Sequence, residues 1–141
     1  MHTVKEAALI TGLTIHTVRF YTDKGLVPSV QRNKDNIRLF DEESINWLYG
    51  AKCLKKTGMP IKVIKMYVDL CLEGDSTVPQ RCALMMEYRE ASLVQLEEAK
   101  RLVVHLEQKA AQYQDILEHR TPDITNPGNW HKIKNEHTAA D

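Results

Sequence analysis

Long apolar runs are absent from this chain of 141 residues. None approaches the roughly 18 residues that a membrane-spanning helix needs, and the N-terminus has no apolar stretch of the kind that opens a secretory leader. Asn-x-Ser/Thr sites are missing as well. Cysteine is scarce and odd in number, with Cys53, Cys71 and Cys82 the three present, which argues against a disulfide framework. The expectation is a cytoplasmic protein with reduced thiols and no membrane partner. Aromatic residues make up only 6% of a chain that is 43% hydrophobic, so its core must be mainly aliphatic. There is no Gly-rich phosphate loop, and the six histidines and three cysteines fall in no recognisable nucleophile–base spacing. Nothing therefore points to an enzyme, a cofactor or a metal centre.

Net charge is missing too: the formal sum is zero, which taken whole argues against a polyanionic partner. Local counting reverses that impression. Residues 1–58 hold nine Lys or Arg against six Asp or Glu, residues 59–120 hold eight against ten, and residues 121–141 two against three. The positive excess lies in the segment that opens the chain.

In that segment Thr3-Val4-Lys5-Glu6 has the spacing of a capping box and starts a first helix of about two turns. Gly12 supplies the left-handed residue that ends it, and Thr14 caps a second helix over TIHTVRFYTDK. Two short helices joined by a Gly-containing turn form a helix-turn-helix. Ala8, Leu13, Ile15, Val18 and Leu26 are expected to lock the pair together. The other side then presents His16, Thr17, Arg19, Tyr21 and Lys24, which can donate to phosphate oxygens and base edges.

After Pro28, turn formers Asn33, Asp35 and Asn36 separate Val30 from Ile37-Arg38-Leu39-Phe40, which reads as a short hairpin carrying Arg32, Lys34 and Arg38. Asp41 caps a third helix whose first turn holds Glu42 and Glu43. Its expected apolar face is Ile45, Leu48, Tyr49 and Cys53, with Trp47, Ala51 and Leu54 beside it. Gly58 ends it, and Pro60 is expected in the first turn of a fourth helix with a buried stripe of Ile61, Ile64, Val68, Cys71 and Leu72.

Thr77-Val78-Pro79-Gln80 again has capping-box spacing, and no Gly or Pro follows until Pro122. A helix over 78–119 would be on the order of 60 Å long at 1.5 Å per residue. Along it Met85, Leu96, Ala99, Val103, Leu106, Ala110, Tyr113 and Leu117 fall on one alternating four-then-three series, interrupted only by Arg89 and Ser92, which is a heptad seam. No other segment is large enough to cover it, so a second copy is expected there. A helical hairpin within one chain lacks a turn signal for the bend. The expected organisation is a head over 1–74 (helix-turn-helix 3–24, wing 29–40, helix pair 41–73), a dimerisation helix over 77–120 and an irregular tail over 121–141 pinned by Trp130.

The order of these elements resembles the MerR family of bacterial transcription regulators. The resemblance rests on Gly12-Leu13-Thr14, Thr17-Val18-Arg19-Phe20-Tyr21, Gly25-Leu26-Val27-Pro28, Ile37-Arg38-Leu39-Phe40 with Asp41-Glu42-Glu43, and the stretch from Leu54 to Ile64. It covers residues 1 to about 119. It implies a mainly α fold with a winged helix-turn-helix head and an antiparallel coiled-coil homodimer. It also implies binding to an inverted repeat in double-stranded promoter DNA, with transcription switched by distorting that DNA and RNA polymerase met only indirectly. By the same resemblance His16 and Thr17 lie at base edges and Arg19, Tyr21 and Arg38 at phosphates; with Thr14 at the helix start and the basic wing residues Arg32 and Lys34, these are the expected DNA-facing residues. The chain departs from the family in two places: Thr22 stands where an acidic residue is usual, and Asn36-Ile37 where the wing has Gly-Tyr.

Beyond the long helix only about 20 residues remain, too few for an effector domain. Cys82 resembles one ligand of metal-sensing relatives but has no visible partner, so a metal-responsive reading is the weaker one. Ala51-Lys52-Cys53-Leu54 resembles the aldehyde- and electrophile-responsive, AdhR- and NmlR-like branch. Lys52, Lys55 and Lys56 would favour a thiolate at Cys53, whereas the helix C-terminus disfavours one. Packing filler is the alternative for Cys53. A coiled-coil adaptor without DNA would leave Arg19, Arg32, Lys34 and Arg38 unexplained.

Overall fold

The structure, a computed structural model, describes residues 1–119 and 121–131. Among the described residues five helices and one hairpin follow in the order α1 (Val4–Thr11), α2 (Ile15–Asp23), β1 (Gln31–Arg32), β2 (Arg38–Leu39), α3 (Glu42–Lys56), α4 (Ile61–Glu73) and α5 (Val78–His119). Short 3-10 turns lie at Asp75–Thr77 and Pro127–Asn129. The chain divides into two compact units, Met1–Ser92 and Leu93–Asp141.

The expected starts and stops of the first helices hold at atomic level. The Thr3 hydroxyl accepts from the Glu6 N–H at 3.2 Å, and the Thr14 hydroxyl accepts from the Thr17 N–H at 3.0 Å. Gly12 ends α1 at φ 72°. A side chain there would be strained and would also meet the Lys52 ammonium at 3.0 Å. The capping box at α1 is one-sided: the Glu6 carboxylate lies against the His2 ring at 3.3 Å instead of returning to the Thr3 N–H. His2 is held in turn by backbone exchange with Phe40, at 2.7 and 2.8 Å, which places the N-terminal segment beside the wing.

The core of the first unit gathers Ala7, Val18, Leu26, Val27, Phe40, Leu48, Met59 and Ile64, all buried. Leu84, Met85 and Tyr88 from α5 pack against it, which is why this unit runs past the boundary expected at residue 74. Several expected burials are corrected. In α3 the inward stripe is Ser44, Ile45, Leu48 and Ala51, while Tyr49 and Cys53 face solvent. Tyr49 is turned outward because its hydroxyl donates to the Ile10 carbonyl at 2.7 Å. Ile15 and Leu72 are likewise exposed, and Pro60 is the cap residue before α4, not its first turn. Thr77 is buried and caps nothing. Its hydroxyl donates to the Leu70 and Gly74 carbonyls at 2.6 and 2.8 Å, closing the end of α4, and accepts from Arg81 Nε at 3.0 Å.

The second unit begins within α5, which runs unbroken for 42 residues. No helical hairpin forms. Leu96, Val103, Leu106, Tyr113 and Leu117 are all exposed. In the tail Asp123 accepts from the Thr125 and Asn126 N–H groups, and Trp130 Nε1 donates to the Ile124 carbonyl at 3.0 Å while its ring stays largely exposed. Arg120 and the part of the expected tail at 132–141 lie outside the described residues.

Candidate nucleic-acid interface

Helix α2 buries Val18 and Tyr21 and turns Ile15, His16, Arg19, Phe20, Asp23 and Lys24 outward. These recur in pairs every four residues, the spacing of one helical face. The structure therefore brings His16, Arg19 and Lys24 to one surface as the sequence suggests. Thr17 is half-buried, with its hydroxyl taking a hydrogen bond from Thr14 Oγ1 at 2.8 Å. Thr14 and Thr17 thus rigidify the start of α2 and leave His16 between them exposed.

Tyr21 departs from the expected outward position. It is 5% exposed, its ring belongs to the core, and burial pushes its phenol up from the ordinary value. No side-chain polar atom among the described residues is both sealed from solvent and unpartnered. The Tyr21 hydroxyl, which makes no hydrogen bond there, therefore opens to the surface.

Phe20 takes the exposed aromatic position instead, with Lys24 Nζ 5.6 Å from its ring centroid, in cation–π range. Sequence reasoning did not single out Phe20 as a surface residue, although the four-residue spacing from His16 and the apolar partner at Tyr21 could have shown it. Ile37 at the wing is similarly exposed.

The wing is a two-stranded antiparallel hairpin pairing Gln31 with Leu39 and Arg32 with Arg38. Its tip is built by the Asn33 carboxamide, which accepts from the Asp35 and Ile37 N–H groups at 2.9 and 3.0 Å, and by Asn36 at φ 61°, a conformation Asn tolerates. Arg32 donates to the Asn36 carbonyl at 3.0 Å and so braces the turn. Lys34 is exposed.

Arg38 joins the wing to α2. Its guanidinium reaches across to α2, donating to the Arg19 carbonyl at 3.2 Å and to the Asp23 carboxylate at 2.6 Å. Asp23, the residue after Thr22, supplies the carboxylate of this joint. Arg19, Lys24, Arg32 and Lys34 form no ion pair among the described residues, which leaves their charge open to an outside anion.

The three thiols are separate. Cys53 and Cys82 are exposed and Cys71 is half-buried. Of the lysines near Cys53, Lys52 is turned away, donating from Nζ to the Thr11 carbonyl at 2.6 Å. Lys55 and Lys56 stay exposed in the last turn of α3. Among the described residues no group of three or more His, Cys, Asp or Glu side chains is placed to hold a metal.

Comparison with known proteins agrees with this geometry. The model of the MerR HTH family of regulatory proteins matches residues 2–71. The chain is 36% identical over 113 residues to an uncharacterised HTH-type transcriptional regulator of Haemophilus influenzae, covering 80% of this chain and 84% of that one. It is 37% identical over 87 residues to the HTH-type transcriptional regulator AdhR of Bacillus subtilis, 62% of each chain. The crystal structure of HiNmlR, a MerR family regulator lacking the sensor domain, bound to promoter DNA, superposes with a TM-score of 0.70 at 36% identity, over 82% of this chain and 91% of that one. The winged helix-turn-helix, the long α5 and these relatives together place the chain in the MerR family of helix-turn-helix transcription regulators.

Proposed function

We propose that two copies of this chain bind one promoter duplex at an inverted repeat and change its transcription by distorting it, so that RNA polymerase is met through the DNA. The observation that carries the proposal is the common surface of α2 and wing: His16, Arg19, Phe20 and Lys24 are exposed together, and Arg38 joins the wing to that helix. A helix of this kind fits the major groove, with Arg19, Lys24, Arg32 and Lys34 beside the phosphates and His16 at base edges. Thr14 and Thr17 fix the helix start, and Tyr21 contributes at most its hydroxyl. In each copy the exposed seam of Leu96, Ala99, Val103, Leu106, Ala110, Tyr113 and Leu117 is what an antiparallel partner would cover.

The same reading extends to the signal. Cys53 is exposed beside Lys55 and Lys56, one turn beyond Tyr49, whose hydroxyl holds the end of α1. Addition of its sulfur to an aldehyde carbon, with the proton passing to the carbonyl oxygen, would load a new group onto the helix that supports the helix-turn-helix. Duplex binding measured against salt tests the DNA reading: a dimer meeting several phosphates per head loses at least about a hundredfold in affinity between 50 and 200 mM salt. A flat salt profile, or no duplex binding, would refute it.

A further inference from the structure

Helices α3 and α4 leave an apolar cleft of about 350 Å³ between them, at the small end of the range for sites that hold small molecules. Ala51, Ile64 and Val68 line it and are buried, with Leu54 and Tyr67 beside them. At its rim stands Glu43, exposed and in the first turn of α3. One turn further on is Trp47, half-buried, whose Nε1 donates to the Glu43 carboxylate at 3.3 Å.

Gly50 is the residue that keeps this space open. It lies in the interior of α3, where glycine is a poor helix former. Its φ is not in the left-handed region, and a Cβ there would meet no atom within 4 Å. Neither backbone conformation nor close packing calls for a glycine at this position. What the missing side chain leaves is room on the α3 wall of the cleft, one residue before the small Ala51.

The chemistry of the walls selects the occupant. An apolar floor takes a hydrocarbon or aromatic body. Among the described residues Glu43 makes no ion pair, and its carboxylate lies next to an indole ring, so carboxylate and aromatic offer two attractions to the same cation. An anion would meet only repulsion, since no Lys, Arg or His lines the cleft.

We infer that this cleft binds a small organic cation, an aromatic or alicyclic body carrying one protonated amine, with the ammonium at Glu43 and Trp47 and the body against Ala51, Ile64 and Val68. The site does not include Cys53 and needs no covalent step. Helix α3 also carries Tyr49 and Lys52, whose side chains donate to the Ile10 and Thr11 carbonyls at the end of α1. An occupant of the cleft therefore bears on the helix that steadies the helix-turn-helix.

The full chain contains two tryptophans, Trp47 at the cleft and Trp130 in the tail. Their indole N–H signals in a proton–nitrogen correlation spectrum give a site reporter and an internal control, and Trp130→Phe assigns them. Phenethylammonium, phenethyl alcohol and phenylacetate have bodies of one size and differ in charge. The ammonium is expected to shift the Trp47 signal saturably, to leave the Trp130 signal in place and to bind about tenfold more tightly than the alcohol, with phenylacetate weakest. Glu43→Gln should bring the ammonium down to the affinity of the alcohol without changing the latter. Gly50→Leu, which fills the cleft and suits a helix, should abolish binding of both. No saturable shift at Trp47, equal affinities for ammonium and alcohol in the wild type, or binding that survives Gly50→Leu overturns the inference. Every arm is read without DNA, so its failure is distinct from failure of the DNA reading.

Discussion

Arg38 and Asp23 sit on different elements and are joined at 2.6 Å, the guanidinium of the second wing strand donating to the carboxylate at the end of α2. A second donation from Arg38 to the Arg19 carbonyl, at 3.2 Å, makes the joint two-pronged. The wing and α2 are thereby held as one surface. Arg38→Ala should weaken binding to any duplex by about tenfold, because the wing loses its orientation, while folding stability falls by less than about 1 kcal/mol since the Asp23 partner is 60% exposed. Arg38→Lys should recover only part of the binding, as an ammonium cannot reproduce the fork. Fluorescence anisotropy with urea unfolding in parallel separates the two effects.

Arg19 and His16 should fail differently. Both face outward from α2, but a guanidinium at a phosphate carries no sequence information, whereas an imidazole at a base edge does. Arg19→Ala is expected to weaken binding uniformly and to reduce the salt slope by about 1. His16→Ala should leave the slope nearly unchanged and alter which sequences are preferred. Competition binding against a panel of duplexes reads both.

Asp41 gives a signature in pH. Its carboxylate accepts from the Ser44 N–H at 2.7 Å, and this bond, followed by the Ser44 hydroxyl, holds the carboxyl below its ordinary value. A depressed folded value means that the stabilising contribution is fully present above the unfolded value and is lost as pH falls through the folded one. Wild-type stability should therefore decline below about pH 4, and Asp41→Asn, which cannot titrate, should show a shallower decline over that range. Urea midpoints collected from pH 3 to 6 check this.

For the thiols, Cys53→Ser should abolish or sharply reduce promoter activation by formaldehyde or methylglyoxal, with duplex affinity in the absence of aldehyde unchanged. Cys71→Ser and Cys82→Ser should leave the response intact. A reporter strain dosed with aldehyde measures all three, and an undiminished response in Cys53→Ser would remove Cys53 from the mechanism.

Much of this was legible in the sequence because the signals are local. Thr3, Thr14 and Asp41 cap helices, Gly12 ends one, and the absence of Gly and Pro from Gln80 to His119 lets one unbroken helix run over Val78–His119. What escaped is set by contacts distant in the chain. Tyr49 and Cys53 fit an apolar stripe by spacing, but the face that α3 buries is rotated by about 100°, one residue, because Ser44, Ile45, Leu48 and Ala51 point inward. Tyr49 is free to turn because the Ile10 carbonyl, 39 residues away, receives its hydroxyl. Thr77 looks like a cap but serves the carbonyls of the preceding helix. At the interface, the positive charge of α2 and the wing was readable, whereas the Arg38–Asp23 joint and the burial of Tyr21 depend on how those two elements meet.

The central claim is that two such surfaces act together on one duplex, and selection from a random duplex library by the full-length protein tests it most directly. Enriched sequences should contain two half-sites in inverted orientation at a fixed spacing, bound by two chains per duplex. Enrichment of single half-sites, direct repeats or no sequence at all would contradict it.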